Sequence, residues 1–206
     1  MSVPVAIIDS GGANIASLRA ALSRLGADSV VTSDPDVIQR ATRVLLPGVG
    51  SAHNAMARLR STGLDRLIPT LKQPLLGICL GMQILFETSE EGPANGLAVI
   101  PGQVTRLQFA PGLPVPHMGW NQLSQRKPDP LLDGVSTLDY VYFVHGYAVR
   151  AGDWTVATTE YGSDFTAVAR RDNFCGTQFH PERSGVVGAR ILANFLKARP
   201  ESGLTP

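Results

Sequence analysis

The sequence predicts an α/β fold: an open, mostly parallel sheet flanked by helices, with a smaller antiparallel sheet from the C-terminal half. Three observations predict it. Short apolar runs alternate with helical patterns as far as Glu91. Those runs lack polar alternation, as strands buried on both faces do. Beyond Glu91 the helical periodicity stops, and short β-prone pieces separated by turn residues take over.

Val3-Pro4-Val5-Ala6-Ile7-Ile8-Asp9 is apolar up to its last residue and reads as a central first strand. Ser10-Gly11-Gly12-Ala13-Asn14 is a turn, with Asn14 a candidate helix N-cap. The Gly11-Gly12 pair lacks both the G-x-G-x-x-G spacing and a P-loop lysine, so a tight strand-to-helix turn is favoured over a phosphate site. Ile15 to Leu25 follows as a helix, because Ile15, Leu18, Leu22 and Leu25 share one stripe, and Gly26 ends it. Asp28 to Thr32 is a second strand. Asp34-Pro35-Asp36 opens a short helix, Asp36 to Ala41, with proline in the first turn. Arg43 to Leu46 is a third strand. It runs into Pro47-Gly48-Val49-Gly50-Ser51, a loop whose glycines let backbone approach a ligand. Ser51 to Leu59 and Leu64 to Leu71 are helical, broken near Gly63. Leu75 to Cys79 is a fourth strand, and Met82 to Glu87 suits a helix.

This order of strands and helices implies parallel strands joined by right-handed crossovers. Ligands of such sheets bind at the carboxyl ends of the strands. The Gly48–Gly50 loop and Cys79 both fall at that edge. In the second half, Leu97 to Ile100, Gln103 to Phe109, Val115 to Met118, Tyr140 to Phe143, Trp154 to Thr159, Thr166 to Arg170 and Phe174 to Phe179 read as antiparallel strands. Some extend the first sheet and some form the second. Ser184 to Ala198 closes the chain as a helix with Val187, Ile191, Leu192, Phe195 and Leu196 on its core face. Residues 201–206 read as a frayed tail.

With 206 residues, 44% of them hydrophobic, residues 1–200 suit one domain that buries about 70% of its unfolded surface. Eighteen basic against 17 acidic side chains leave a net charge of +1, which advertises neither a nucleic-acid nor an anionic-membrane partner. Arg170-Arg171 reads as a solvated strand end. No apolar stretch approaches the roughly 18 residues of a membrane span. Met1-Ser2-Val3-Pro4-Val5 has no basic n-region, so no signal peptide is expected. The two cysteines make neither a disulfide framework nor a zinc pattern, and a reduced, cytoplasmic protein is expected.

Gly77-Ile78-Cys79-Leu80-Gly81 is the strand-to-helix nucleophile elbow with Cys in place of Ser. A sharp turn pushes one side chain out at the top of a sheet, and a Cβ on either flanking glycine would collide with its neighbours. A thiol there meets a helix N-terminus, whose dipole favours thiolate. The next N–H, that of Leu80, is free to face an oxyanion. The same letters also fit a buried structural cysteine, since free Cys is among the most buried residues.

Gly176-Thr177-Gln178-Phe179-His180-Pro181-Glu182 is the second signal. At the strand period, His180 and Glu182 leave on the same side, close enough for the carboxylate to accept from the imidazole. That bond fixes the tautomer and leaves Nε2 to take a proton from a nucleophile. Alone, the segment is as well a His-Pro-Glu turn. Strands from Leu75 and Phe174 that finish at one edge would bring Cys79 and His180 together. His53 reads as surface. His117 and His145 lie in β segments without metal-ligand spacing, and Cys175 reads as a packed thiol.

The elbow Gly77-Ile78-Cys79-Leu80-Gly81-Met82-Gln83, with Phe179-His180-Pro181-Glu182, resembles the class I (triad) glutamine amidotransferases. Leu46-Pro47-Gly48-Val49-Gly50, Pro116-His117-Met118-Gly119-Trp120-Asn121 and Tyr142-Phe143-Val144-His145-Gly146-Tyr147 resemble the glutaminase subunit of imidazole glycerol phosphate synthase, of histidine biosynthesis. The resemblance spans nearly the whole chain. It implies Cys79 as nucleophile, His180 as acid and base, and Glu182 as its orienting carboxylate. It implies an oxyanion held by N–H groups of Leu80 and of the Gly48, Val49, Gly50 loop. Glutamine would be held by Gln83 and by the backbone near His145, Gly146 and Tyr147. Two places depart from the family pattern: Asp9-Ser10-Gly11-Gly12-Ala13-Asn14 stands where Tyr-Gly-x-Gly-Asn is usual, and Gly146 where Ser or Thr is usual.

The resemblance further implies hydrolysis of glutamine through a Cys79 thioester, with no cofactor and no metal. Ammonia would pass to a cyclase subunit of (β/α)8-barrel fold in a heterodimer. Alternatives that keep the residues are a glutaminase of another synthase (anthranilate, aminodeoxychorismate or pyridoxal phosphate), a cysteine hydrolase of γ-glutamyl peptides, or a non-catalytic regulatory module.

Overall fold

The first strand, β1 (Val3–Ile8), is buried at every position from Val5 to Ile8, as its unbroken apolar run requires. The computed structural model describes residues 3–9, 14–48, 50–92, 94–108 and 112–197. The expected loop 10–13, Val49 and the 201–206 tail lie outside them. Helix α1 (Ile15–Arg24) buries Leu18, Ala21 and Leu22. It ends where Gly26 takes φ +72°, a left-handed turn that a side chain would resist. Next come β2 (Ser29–Thr32), α2 (Pro35–Arg40) and β3 (Ala41–Gly48). The Asp34 carboxylate caps α2 by accepting from the Asp36 N–H at 2.9 Å, with Pro35 in the first turn. Helices α3 (Ala52–Ser61) and α4 (Leu64–Leu67) are separated at Gly63, as its sequence break predicts, and Ile68–Thr70 tightens into a 3-10 turn.

The helix expected over Met82–Glu87 is shorter and earlier. After β4 (Leu75–Cys79), α5 covers Leu80–Gln83, and Phe86–Ser89 is strand β5. Phe86 packs edge-on against Trp154 and is fully buried, so tertiary packing overrides the helical company it keeps in sequence. The rest is β6 (Ala94–Asn95), β7 (Ile100–Arg106), β8 (His117–Gln122), β9 (Ser124–Gln125), β10 (Tyr140–His145), β11 (Tyr147–Val149), β12 (Thr155–Tyr161), β13 (Ser163–Arg171) and β14 (Phe174–Thr177). Helix α6 (Gly185–Lys197) closes it, burying Ile191, Leu192 and Phe195 with Val187 and Leu196 packed at the margin.

The main sheet runs β2-β1-β3-β4-β14-β13-β12-β9. Pairing is parallel from β2 to β14 and antiparallel from β14 to β9. The expected single smaller sheet is two: an antiparallel pair, β10-β8, and a sheet β11-β7-β5-β6 in which β5 and β7 are parallel. Two apolar clusters fill the faces of the main sheet, one under α1 and α6, the other under α3 and α5. Arg170 is not the solvated strand end its sequence suggests. It grips Asp129 through two nitrogens at 2.5 and 2.8 Å, and the Asp129 side chain is 4% exposed. Among the described residues no helix is long and apolar enough to cross a membrane.

Candidate active site

Three strand ends build the site. In register, Gly48 of β3 stands beside Cys79 of β4, and Thr177 of β14 stands beside Ile78. Chain continuation therefore carries Gln178 level with Cys79 and His180 just beyond it. The elbow is closed by glycines. A Cβ on Gly81 would lie 1.7 Å from the Leu46 carbonyl oxygen, and one on Gly77 would lie 2.6 Å from that of Gly81. Cys79 itself takes φ 54° and ψ −111°, left-handed backbone that a non-glycine residue adopts under strain. That conformation turns its Sγ into the pocket. Leu80 begins α5, so its N–H has no intrahelical acceptor.

His180 and Glu182 meet by a different route from the one their spacing suggests. Strand β14 stops at Thr177, and Pro181–Arg183 forms a 3-10 turn. Within that turn the His180 Nδ1 lies 2.8 Å from Glu182 Oε1, with the two side chains 5% and 2% exposed. The turn is fastened to β10: the His180 N–H donates to the Tyr142 carbonyl at 2.9 Å, and the Ser184 hydroxyl accepts from the Tyr142 N–H at 2.9 Å while donating to the His180 carbonyl at 2.7 Å. Burial opposes charge on His180. Hydrogen bonds to Cys79 and Glu182, and the negative charges of both, outweigh it and push its pKa up to about 10. Cys79, His180 and Glu182 thus form one contiguous array.

Asn14 holds the position of an N-cap on α1, yet its side chain makes no cap bond. Its Nδ2 donates to Glu182 Oε1 and lies 3.1 Å from His180 Nδ1. Nothing in the sequence signals this, because capping is the ordinary use of Asn there.

A cavity of about 340 Å³ opens over the thiol. Its wall includes Gly48, Gly50, Leu80, Gln83 and His145 of the predicted set, together with Asn14, Val144, Glu91 and Arg183, which sequence reasoning missed. Val49 lies outside the described residues. Gly146 and Tyr147 are behind the wall: the Gly146 carbonyl accepts from the Leu107 N–H, and the Tyr147 carbonyl accepts from Gln83 Nε2 at 2.8 Å. The Gln83 Nε2 also donates to Gln178 Oε1 at 3.0 Å. Both Gln83 N–H groups are therefore used inside the protein, and its amide oxygen is the part left for a ligand.

His145 places Nδ1 2.9 Å from the Tyr147 carbonyl, an acceptor, so that nitrogen carries the proton. Its Nε2 then accepts from His117 Nδ1 at 3.1 Å. Burial lowers the pKa of both, to about 3 for His145 and about 4 for His117, and keeps the pair neutral. His117 also stacks on Tyr161 with centroids 3.9 Å apart. Cys175 is 1% exposed and burial pushes its thiol up to about 12, as befits packing. Glu91 accepts from the Ala52 N–H at 3.1 Å, and burial raises its carboxyl above the usual range. Arg183 lies with its guanidinium carbon 5.1 Å above the Tyr142 ring.

A family model described as "Glutamine amidotransferase class-I" matches residues 6–198. The chain belongs to the class I glutamine amidotransferases. This amidotransferase is 52% identical over 193 residues to "Imidazole glycerol phosphate synthase subunit HisH" of Xanthomonas campestris pv. campestris (strain 8004), covering 94% of this chain and 96% of that one. A protein of the same name from Xylella fastidiosa (strain 9a5c) is also 52% identical over 193 residues, with the same coverage. "Imidazole glycerol phosphate synthase subunit HisH 2" of Legionella pneumophila (strain Paris) is 50% identical over 192 residues, covering 93% and 96%. The amidotransferase is thus a member of the HisH family. Its fold matches a solved crystal structure of a glutamine amidotransferase with TM-score 0.73 at 20% identity, covering 93% of this chain and 96% of that one.

Proposed function

We propose that this amidotransferase hydrolyses L-glutamine to glutamate and ammonia through a glutamyl thioester on Cys79, with residues 1–200 as one glutaminase domain. The observation that carries the reading is the buried array of Cys79, His180 and Glu182 beneath a cavity of amino-acid size. The Cys79 thiolate attacks the side-chain carboxamide carbon, and the resulting oxyanion is met by the Leu80 N–H and the loop of Gly48, Val49 and Gly50. As the C–N bond breaks, the His180 imidazolium gives its proton to the leaving ammonia. His180 then takes a proton from water, which attacks the thioester and releases glutamate. Glu182 holds the imidazole in place and offsets its charge. Glu91 supplies a carboxylate to meet the α-ammonium group, and the Gln83 amide oxygen an acceptor for donors of the substrate. None of these steps uses a metal or cofactor.

The relatives bear the name of an imidazole glycerol phosphate synthase subunit, which supports a heterodimer in which ammonia passes to a cyclase in histidine biosynthesis, feeding its lyase step. Free thiols at Cys79 and Cys175 support a reduced, cytoplasmic setting. The test is ammonia release from glutamine with and without liganded cyclase. The expected result is weak activity alone and a rise of at least about tenfold, or roughly 1.4 kcal/mol of barrier. Equal rates would remove the cyclase from the proposal, and no release in either case would remove the glutaminase.

A further inference from the structure

Gln178 is fully buried on the run between β14 and His180, and it does not line the cavity. Its backbone N–H pairs with the Ala167 carbonyl at 2.9 Å, which holds it in the sheet beside Cys79. Its Nε2 lies 3.8 Å from Cys79 Sγ, within reach of a hydrogen bond to sulfur. The polarity of that contact is fixed from behind. The Tyr147 carbonyl can only accept, so Gln83 must present Nε2 to it. The second N–H of the same Gln83 nitrogen points at Gln178, so the Gln178 end facing it must be Oε1. Gln178 therefore shows N–H, not oxygen, to the sulfur. On another side of the sulfur, at 3.8 Å, stands the Val144 carbonyl, which accepts from a thiol and repels a thiolate.

We propose that Gln178 is a positioning residue for the reaction: its amide N–H, oriented by Gln83 and the Tyr147 carbonyl, holds Cys79 Sγ as thiolate and away from the Val144 carbonyl. The proposal rests on Cys79 being the nucleophile of the glutaminase. The physical reason is that a hydrogen bond donated to the charged form of a group favours that form. With the sulfur largely buried, the neighbouring carbonyl would otherwise favour the thiol. Gln178 touches the sulfur and does not line the cavity, so its N–H acts on the chemical step, while its Oε1 helps hold Gln83.

The test compares iodoacetamide alkylation of Cys79 as a function of pH in the full-length chain, in a Cys175→Ala background, with and without Gln178→Met. Alkylation at pH 7 is expected to fall about tenfold and the pH profile to move upward by about one unit, the equivalence of a tenfold change in thiolate fraction. With cyclase present, kcat should fall by a similar factor, and KM for glutamine should stay within about twofold in Gln178→Glu, which keeps the acceptor for Gln83. If Gln178→Met does not fold, Gln178→Glu is the second variant. It keeps the shape and the acceptor that Gln83 needs, and sets a carboxylate oxygen, an acceptor, where the N–H faced the sulfur. A purely structural role predicts that Glu restores the wild-type profile, and that result overturns the proposal. So does a variant profile that superimposes on wild type, whatever happens to kcat. Alkylation reads the sulfur without glutamine turnover, so the proposal about Gln178 fails separately from the glutaminase reading, which Cys79→Ala decides.

Discussion

His180 Nδ1 lies 2.8 Å from Glu182 Oε1 inside a single 3-10 turn, with both side chains almost wholly out of solvent. A carboxylate so placed fixes the proton on Nδ1 and turns Nε2 toward the thiol. It also has a thermodynamic signature. Against the opposing effect of burial, Cys79 and Glu182 together raise His180 from 6.5 in the unfolded chain to about 10, so Glu182 supplies part of the shift. A raised histidine contributes stability in full below its unfolded value and loses it as pH climbs through its folded value. Glu182→Gln should therefore lower the melting temperature most at pH 6.5 and just below, and the gap should narrow steadily toward pH 10. Thermal melts of both proteins across that range check this; a gap constant with pH would separate Glu182 from the charge of His180.

In the proposed reaction, removing His180 would take away both the base and the acid, whereas Glu182→Gln would leave the nucleophile, the oxyanion donors and the imidazole in place. His180→Ala is expected to be the more damaging, and Glu182→Gln to keep measurable single-turnover thioester formation. Should folded Glu182→Gln be as inactive as Cys79→Ala, Glu182 does more than orient.

Two thiols offer a clean contrast. Cys79→Ala should abolish glutamine hydrolysis with the fold retained, because its side chain faces the cavity at the elbow. Cys175→Ala should keep activity, since Cys175 is sealed in the sheet with its Sγ 3.3 Å from the Leu75 carbonyl oxygen. The size change there is one sulfur atom, with a stability loss of about 1–2 kcal/mol. Activity that follows Cys175 instead would reverse the assignment.

Gly81→Ala tests the elbow by packing alone. The new Cβ would fall 1.7 Å from the Leu46 carbonyl oxygen, and backbone must move to relieve it. Overpacking of this kind destabilises by about 1–3 kcal/mol or more. Denaturant unfolding should show at least that loss, with glutaminase activity falling further because Cys79 moves with its neighbour. Wild-type stability would mean that β3 and α5 are less tightly set than the glycines imply.

By itself the sequence determined the parallel half of the sheet and the elbow, and it singled out Cys79, His180 and Glu182, which the fold brings side by side. Those features are local or nearly so: buried parallel strands are unbroken apolar runs, and the elbow needs small residues flanking one nucleophile. Tertiary structure decided what depends on non-local pairing. Phe86 became strand because Trp154 packs on it, and Arg170 became the partner of a buried carboxylate because Asp129 lies 41 positions away in sequence and 2.5 Å away in space. Asn14 left its capping role for His180 and Glu182, more than 160 residues on. Gln178 faces Cys79 only because β14 runs parallel beside β4 and the two strands end together. No period or spacing encodes such contacts, because a side-chain amide acquires its polarity from partners that only the folded chain assembles.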